Sequence, residues 1–208
     1  MALVKTAAIV LLAMLGLGLG PLALASGPRA GEVLAMGGQC FLVAGEERTP
    51  VKIGDAVHVG DTLDVPAGAK LKVRLDDGSI IAAGSSSKVT IETFALNDAN
   101  KRDVKLTLAT GLLRAVVSAV GEPQRFEVNT ATGVAAVRST DWFIDARQGS
   151  TQVGVLEGAV ALTSAATGKS VRIPARWGAR VEAGRDPVPP RVWSSSEFDD
   201  VIERTDLK

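Results

Sequence analysis

The chain has 208 residues and a mass of 21.5 kDa, enough for one or two domains. Its 23 Lys and Arg balance 23 Asp and Glu, which argues against a nucleic-acid binder, an acidic disordered tail or a polybasic membrane patch. Tyr is absent and only 5 Phe and 3 Trp supply aromatic rings, leaving few platforms on which sugars, bases or flat cofactors could stack.

Residues 1–25 read as an export signal. One cation, Lys5, precedes an uncharged apolar run that ends at Ala23-Leu24-Ala25. Small residues at these positions suit a signal peptidase, so cleavage is expected between Ala25 and Ser26. Pro21 supports cleavage; the alternative is an uncleaved anchor, because the run is long enough to span a bilayer. A lipoprotein signal would need Cys where Ser26 stands. No later run is long enough to span a membrane, so the mature protein is expected to be periplasmic or secreted, without stable membrane insertion. Export permits disulfides, but Cys40 is the one cysteine and cannot close an internal bridge. In the run Gln39-Cys40-Phe41-Leu42-Val43 it reads as a small buried hydrophobe, with an intermolecular disulfide or a reactive thiol as the alternative.

From Gly31 to Ala183 the pattern alternates with period two and breaks every eight to twelve residues. Leu71, Val73 and Leu75 alternate with Lys70, Lys72 and Arg74, which puts aliphatics on one face of a strand and cations on the other. Asp76-Asp77-Gly78 supplies a tight turn. Val89 and Ile91 follow, then Val104, Leu106 and Leu108, Phe126 and Val128, and Val134 to Val137. Trp142 to Ala146, Val153 and Val155, Val160 and Leu162, Val171 and Ile173, and Val181 complete the series. Turn signals lie between them, at Gly84, Asn97 to Asn100, Gly121, Gly149, Gly158 and Gly168. No stretch sustains a 3.6 period, so the region 26–183 is predicted to be an all-β domain.

One internal echo is visible. Lys105 to Leu112 and Gln152 to Ala159 each bring two alternating aliphatics into a Gly, Gly111 or Gly158, and a new apolar strand starts at once. Gly without a surrounding loop marks a bend or bulge where a strand changes direction. Stacked short strands, as a β-solenoid or an elongated two-sheet sandwich, are therefore expected in preference to a closed barrel.

After Ala183 the texture changes. Residues 184–193 contain Pro187, Pro189 and Pro190 and read as an extended linker. Residues 194–208 read as a short amphipathic helix. Ser194 and Glu197 form a capping box, and Phe198, Val201, Ile202 and Thr205 share one face. So short a helix is marginal alone and should dock on its own β domain; the alternative is a recognition helix for a partner.

Chemistry-bearing groups do not converge. His58 is the one histidine and lies between two valines, more a surface or packing residue than a catalyst. Ser85-Ser86-Ser87 lacks the strand-elbow-helix setting of a nucleophile. Asp76-Asp77 reads as turn chemistry and Asp199-Asp200 as a solvated helix face; a weak Ca²⁺ site near Asp76 is the alternative, but its loop lacks the alternating ligand spacing such sites use. No catalytic residue, metal site or cofactor is expected. Trp142, Trp177 and Trp193 are the largest apolar groups, and packing is their first reading. The functional reading places them on a recognition surface beside Arg138, Arg176 or Arg191, because Trp and Arg dominate protein interfaces. Candidate partner-binding residues are Arg138, Asp141, Trp142, Trp177, Trp193 and Phe198.

Three stretches carry a family resemblance. Gly54-Asp55 to Leu63 with Ala69 to Ser79 resembles a GD…GD…LxVxLxDGS run. Val137-Arg138-Ser139-Thr140-Asp141-Trp142-Phe143 is similar to a VRGTxF element, and Val155-Leu156-Glu157-Gly158-Ala159-Val160 to VxEGxVxV. Together, from about Gly54 to Gly158, they resemble the extracytoplasmic domain of the FecR (ferric-citrate regulator) family. Ser139 stands where the family usually has Gly, a strained choice if that position needs positive φ. The founding regulators resemble a cytoplasmic anti-sigma segment, a membrane span and a periplasmic sensing domain. Here a few residues precede the export signal, so the resemblance implies the periplasmic fold and an export route without sigma-factor control. The expected function is a non-enzymatic envelope module for signalling or assembly whose partner is another envelope protein. A glycan- or cell-wall-binding module is the alternative, and an envelope enzyme ranks last.

Overall fold

The structure, a computed structural model, describes residues 27–96, 102–119 and 124–207. The expected export signal with Ala25 and Ser26, the turn expected at 97–100 and Gly121 lie outside the described residues. Within them are 17 strands and one helix.

The strands form two stacked sheets. Sheet I runs, side by side, β4 (Ala56–His58), β1 (Arg29–Gly37), β6 (Lys70–Leu75), β7 (Ile80–Ala83), the second part of β9 (Arg102–Val117), β12 (Thr140–Arg147), β13 (Ser150–Glu157), β16 (Trp177–Glu182) and β17 (Arg191–Val192). Sheet II runs β3 (Glu47–Pro50), β2 (Phe41–Ala44), β5 (Thr62–Val65), β8 (Ser87–Leu96), the first part of β9, β10 (Gln124–Asn129), β11 (Gly133–Val137), β14 (Ala159–Ser164) and β15 (Ser170–Pro174). All neighbours are antiparallel except β9 and β10, which are parallel.

The period-two pattern explains the layering. Leu71, Val73 and Leu75 are buried while Lys70, Lys72 and Arg74 stand on the outer face of sheet I. Aliphatics from both inner faces, among them Val89, Leu106, Leu113, Ile144, Val155 and Leu162, merge into one core. Of the two architectures expected, the structure is the elongated two-sheet sandwich, and neither sheet closes on itself.

The echoed glycines are where the chain changes sheets. β9 pairs in sheet II before Gly111 and in sheet I after it. Gly111 sits at φ +95°, and a Cβ there would lie 2.2 Å from the Ser87 Oγ. That hydroxyl accepts from the Leu112 N–H at 2.9 Å and donates to the Leu112 carbonyl at 3.1 Å, clamping the bend. Gly158, at φ +86° with the Ser139 carbonyl 2.7 Å from where a Cβ would stand, carries the chain from β13 in sheet I to β14 in sheet II. Both positions need a residue without a side chain.

Residues 184–193 are more ordered than a linker. The Val188 N–H donates to the Arg180 carbonyl at 2.9 Å, Pro187 is buried, and Arg191–Val192 pair with β16 as β17. The helix α1 (Ser195–Thr205) follows, ending before the expected bound of 208, with both halves of the capping box formed.

Candidate partner-binding surfaces

The family-like stretches converge on one buried ion pair. Asp77, in the turn after β6, accepts the Ser79 N–H and hydroxyl, each at 2.9 Å. Its second oxygen also accepts from Arg102 at 2.9 Å, and both side chains are wholly shielded from solvent. Arg102 donates further to the carbonyls of Ser118 at 2.8 Å and Arg138 at 2.7 Å. The DGS turn of sheet I and the VRST segment between β11 and β12 are thus tied to the first residue of β9. A dry, multiply bonded pair of this kind fixes geometry; breaking it leaves a buried charge. Its chemistry is structural.

Part of the outer face of sheet I is covered by α1. Phe198 and Val201 of α1 pack with Leu112, Phe143 and Trp193, and Leu156 adjoins them. The three rings lie 5.2 to 6.2 Å apart in tilted and edge-on contacts. The sheet is thinned to admit them. A Cβ on Gly154 would lie 2.2 Å from the Phe143 ring, and one on Gly178 2.0 Å from the Trp193 indole. Lys70 donates to the carbonyls of Glu203 and Asp206, and Lys72 to that of Leu207 at 2.8 Å, so β6 cations meet the negative end of the helix dipole. Arg204 reaches Asp145 of β12 at 3.5 Å. At the other end Arg191 and the Ser194 N–H bond the Glu197 carboxylate, holding its pKa down at about 2.

The outer face of sheet II is open among the described residues. A cavity of about 780 Å³ crosses β10, β11, β14 and β15. The pairings Glu127↔Ala136, Ala136↔Ala161 and Ala161↔Arg172 set these four residues in one row. Alanines form the floor, Arg125 and Glu127 one wall, Arg172 the other, and Arg138 with Ser139 closes one end.

The six candidate residues do not form one surface. Trp142 is 0% exposed on the inner face, with no acceptor for its indole N–H among the described residues. Trp193 and Phe198 are buried beneath and within α1. These three are therefore packing residues: strand phase turns Trp142 inward, and the helix covers the other two. Asp141 makes a two-pronged ion pair with Arg114 at 2.8 and 3.0 Å on the outer face of sheet I, which raises the Arg114 pKa further. Arg138 lines the trough of sheet II. Trp177 is 37% exposed beside Val192, its partner on β17. Sugar platforms are thereby reduced to one exposed ring. Ser139 lies outside the positive-φ region, so its replacement of Gly carries no backbone strain.

Cys40 is buried as expected, its thiol bonded to the Lys70 carbonyl at 3.4 Å; burial and, second, Asp64 raise its pKa. His58 bonds Asp61 through its backbone N–H at 2.8 Å. No group of metal-ligating side chains occurs among the described residues. Sequence reasoning missed Arg102, although its phase with Val104, Leu106 and Leu108 marks a cation on the inner face that must find a buried partner.

Residues 61–161 match the family model described as FecR protein. The chain carries a FecR domain. The match spans β5 to β14 and so contains the Asp77–Arg102 pair, both sheet-crossing glycines and the alanine floor. Two crystal structures of a "putative anti-sigma factor" from Parabacteroides distasonis ATCC 8503 share the fold, with TM-scores of 0.54 and 0.55 at 17% and 16% identity. Each alignment covers 66% of this chain and 62% of that one, so this FecR-domain chain spans under two thirds of its solved neighbours. No curated protein matches it. No described helix is long and apolar enough to cross a membrane.

Proposed function

We propose that this FecR-domain protein is an exported, non-enzymatic module that acts in envelope signalling or assembly by binding another protein. The observation that carries the reading is the FecR domain at 61–161, whose solved neighbours are described as anti-sigma factors. The sheet geometry refines how binding would occur. Strand addition needs a long open edge. Here β4 has 3 residues and β17 has 2, while β3 and β15 end in Pro50 and Pro174. The broad faces of the sandwich are the better candidates. The chain's own export pattern, with Ser26 as the first mature residue, supports a periplasmic or secreted location.

The test is in-cell crosslinking and affinity capture of the tagged full chain, with N-terminal sequencing of the recovered protein. The reading expects Ser26 at the N-terminus and one envelope protein recovered repeatedly. An intact Met1 on cytoplasmic protein would remove the export claim, and absence of any partner above background would remove the binding claim.

A further inference from the structure

We infer that the outer face of sheet II is the docking trough for an acidic amphipathic helix of the partner protein. The inference rests on the protein-binding reading above and names the surface and the chemistry of the bound segment.

Three observations converge. The first is shape. Glu127 and Arg172 stand on β10 and β15, three strand spacings apart through the row Glu127, Ala136, Ala161, Arg172. At about 4.8 Å per spacing the walls are roughly 14 Å apart. An α-helix with side chains is about 10–12 Å across. Ala136, Ala159 and Ala161 keep the floor low, so a helix can settle between the walls.

The second is charge. Three arginines, Arg125, Arg138 and Arg172, line the cavity against one carboxylate, Glu127. Arg125 is engaged by Glu127 at 3.1 Å and by Asp103 at 3.8 Å. Arg172, on the opposite wall, makes no ion pair among the described residues. A guanidinium fork there matches a carboxylate.

The third is a precedent inside the molecule. Sheet I already seats an acidic helix over small residues with cations at the rim. Residues 195–206 hold Glu197, Asp199, Asp200, Glu203 and Asp206 against Arg204 as the sole cation. Gly84, Gly154 and Gly178 lie beneath this seat, and Lys70 and Lys72 hold one end of it. Sheet II repeats the plan with alanines and arginines and no described element over it.

The experiment places a photo-crosslinking amino acid at Ala161 in the full-length chain, expressed in the organism that makes it. A second position, Val116 on the outer face of sheet I, is 42% exposed and serves as control. The crosslinked segment is identified by peptide mass spectrometry. The expected adduct at 161 is a net-negative segment with apolar residues spaced three and four apart. Arg172→Glu should cut its yield about fivefold or more, whereas Lys88→Glu, on the same face but outside the trough, should not. Thermal melting of Arg172→Glu should match the parent, which separates binding from folding. An adduct at 161 to an extended or non-acidic segment, to a second copy of this chain, or one indifferent to Arg172→Glu overturns the proposal. Capture from 116 alone overturns the trough and leaves the protein-binding reading standing. Capture from neither position removes both.

Discussion

On sheet I, Gly154 and Gly178 lie under Phe143 and Trp193, and α1 closes over the rings; on sheet II, Ala136, Ala159 and Ala161 lie between arginines with no described element above them. Both faces combine small residues with a basic rim, yet the chemistry of the cover differs. The aromatic seat of sheet I excludes water almost completely, each side chain there gaining about 1.5–3 kcal/mol on burial. Such a seat suits a permanent intramolecular cover, and it lets an 11-residue helix persist that would be marginal alone. The seat of sheet II offers little apolar area and several guanidinium groups. It suits a reversible guest whose affinity depends on charge and ionic strength.

Both faces hang on one frame, so the largest expected effect comes from loosening it. Arg102→Met leaves Asp77 buried without its partner, and should cost about 3–5 kcal/mol, read as the midpoint of urea unfolding. The double variant Asp77→Leu/Arg102→Met should recover much of that loss. A single variant as stable as the parent would show that the pair does not hold the sheets together.

A paired substitution tests the contrast between the faces directly. Gly178→Ala must displace the Trp193 indole and should destabilise by about 1–3 kcal/mol. Ala161→Val, on the open face, should stay within about 0.5 kcal/mol of the parent. The difference in melting temperature should be several degrees. Equal losses at the two sites would mean that sheet II is covered as tightly as sheet I.

The legible and illegible parts of this molecule divide along physical lines. Alternation in Lys70 to Leu75 specified which side of the strand is buried, because the side-chain period of a strand is two regardless of its neighbours. Gly111 and Gly158 were legible as bends because a Gly between two apolar runs has few other uses. The capping box of Ser194 and Glu197 is local chemistry, and it formed as read. Pairing was not legible: nothing in a period-two pattern tells Arg102 that Asp77 is its partner, or Ala136 that Ala161 lies beside it. The aromatic residues divide in the same way. Packing, the first reading of Trp142 and Trp193, and docking of the Phe198 face on the β domain agree with their burial, but the pattern does not say that Phe143 is the ring on which α1 closes. The trough was missed because alanines on outer strand positions carry no signal until four strands are set side by side.

The smallest effects probe the N-terminal anchor of the covering helix. Ser194→Ala removes the acceptor for the Glu197 N–H and should cost about 1 kcal/mol, visible as faster amide exchange within 195–205. Proton titration should act on the same anchor. Bonding to Arg191 and then to the Ser194 N–H lowers the Glu197 pKa from 4.5 to about 2. A carboxyl group whose folded pKa lies below its unfolded one contributes stability above the unfolded value, and that contribution is lost as pH falls through the folded one. Amide protection in α1, taken relative to the intrinsic exchange rate at each pH, should therefore fall between pH 4.5 and about 2, ahead of protection in the core strands. Glu197→Gln should remove that pH dependence and leave the helix equally loose across the range. If the variant keeps the parent's acid profile, Glu197 is not the group whose protonation loosens the helix. Sheet II has no comparable tie between a described cover and its rim, so protection along β11 and β14, relative to the intrinsic rate, should not change over the same pH interval.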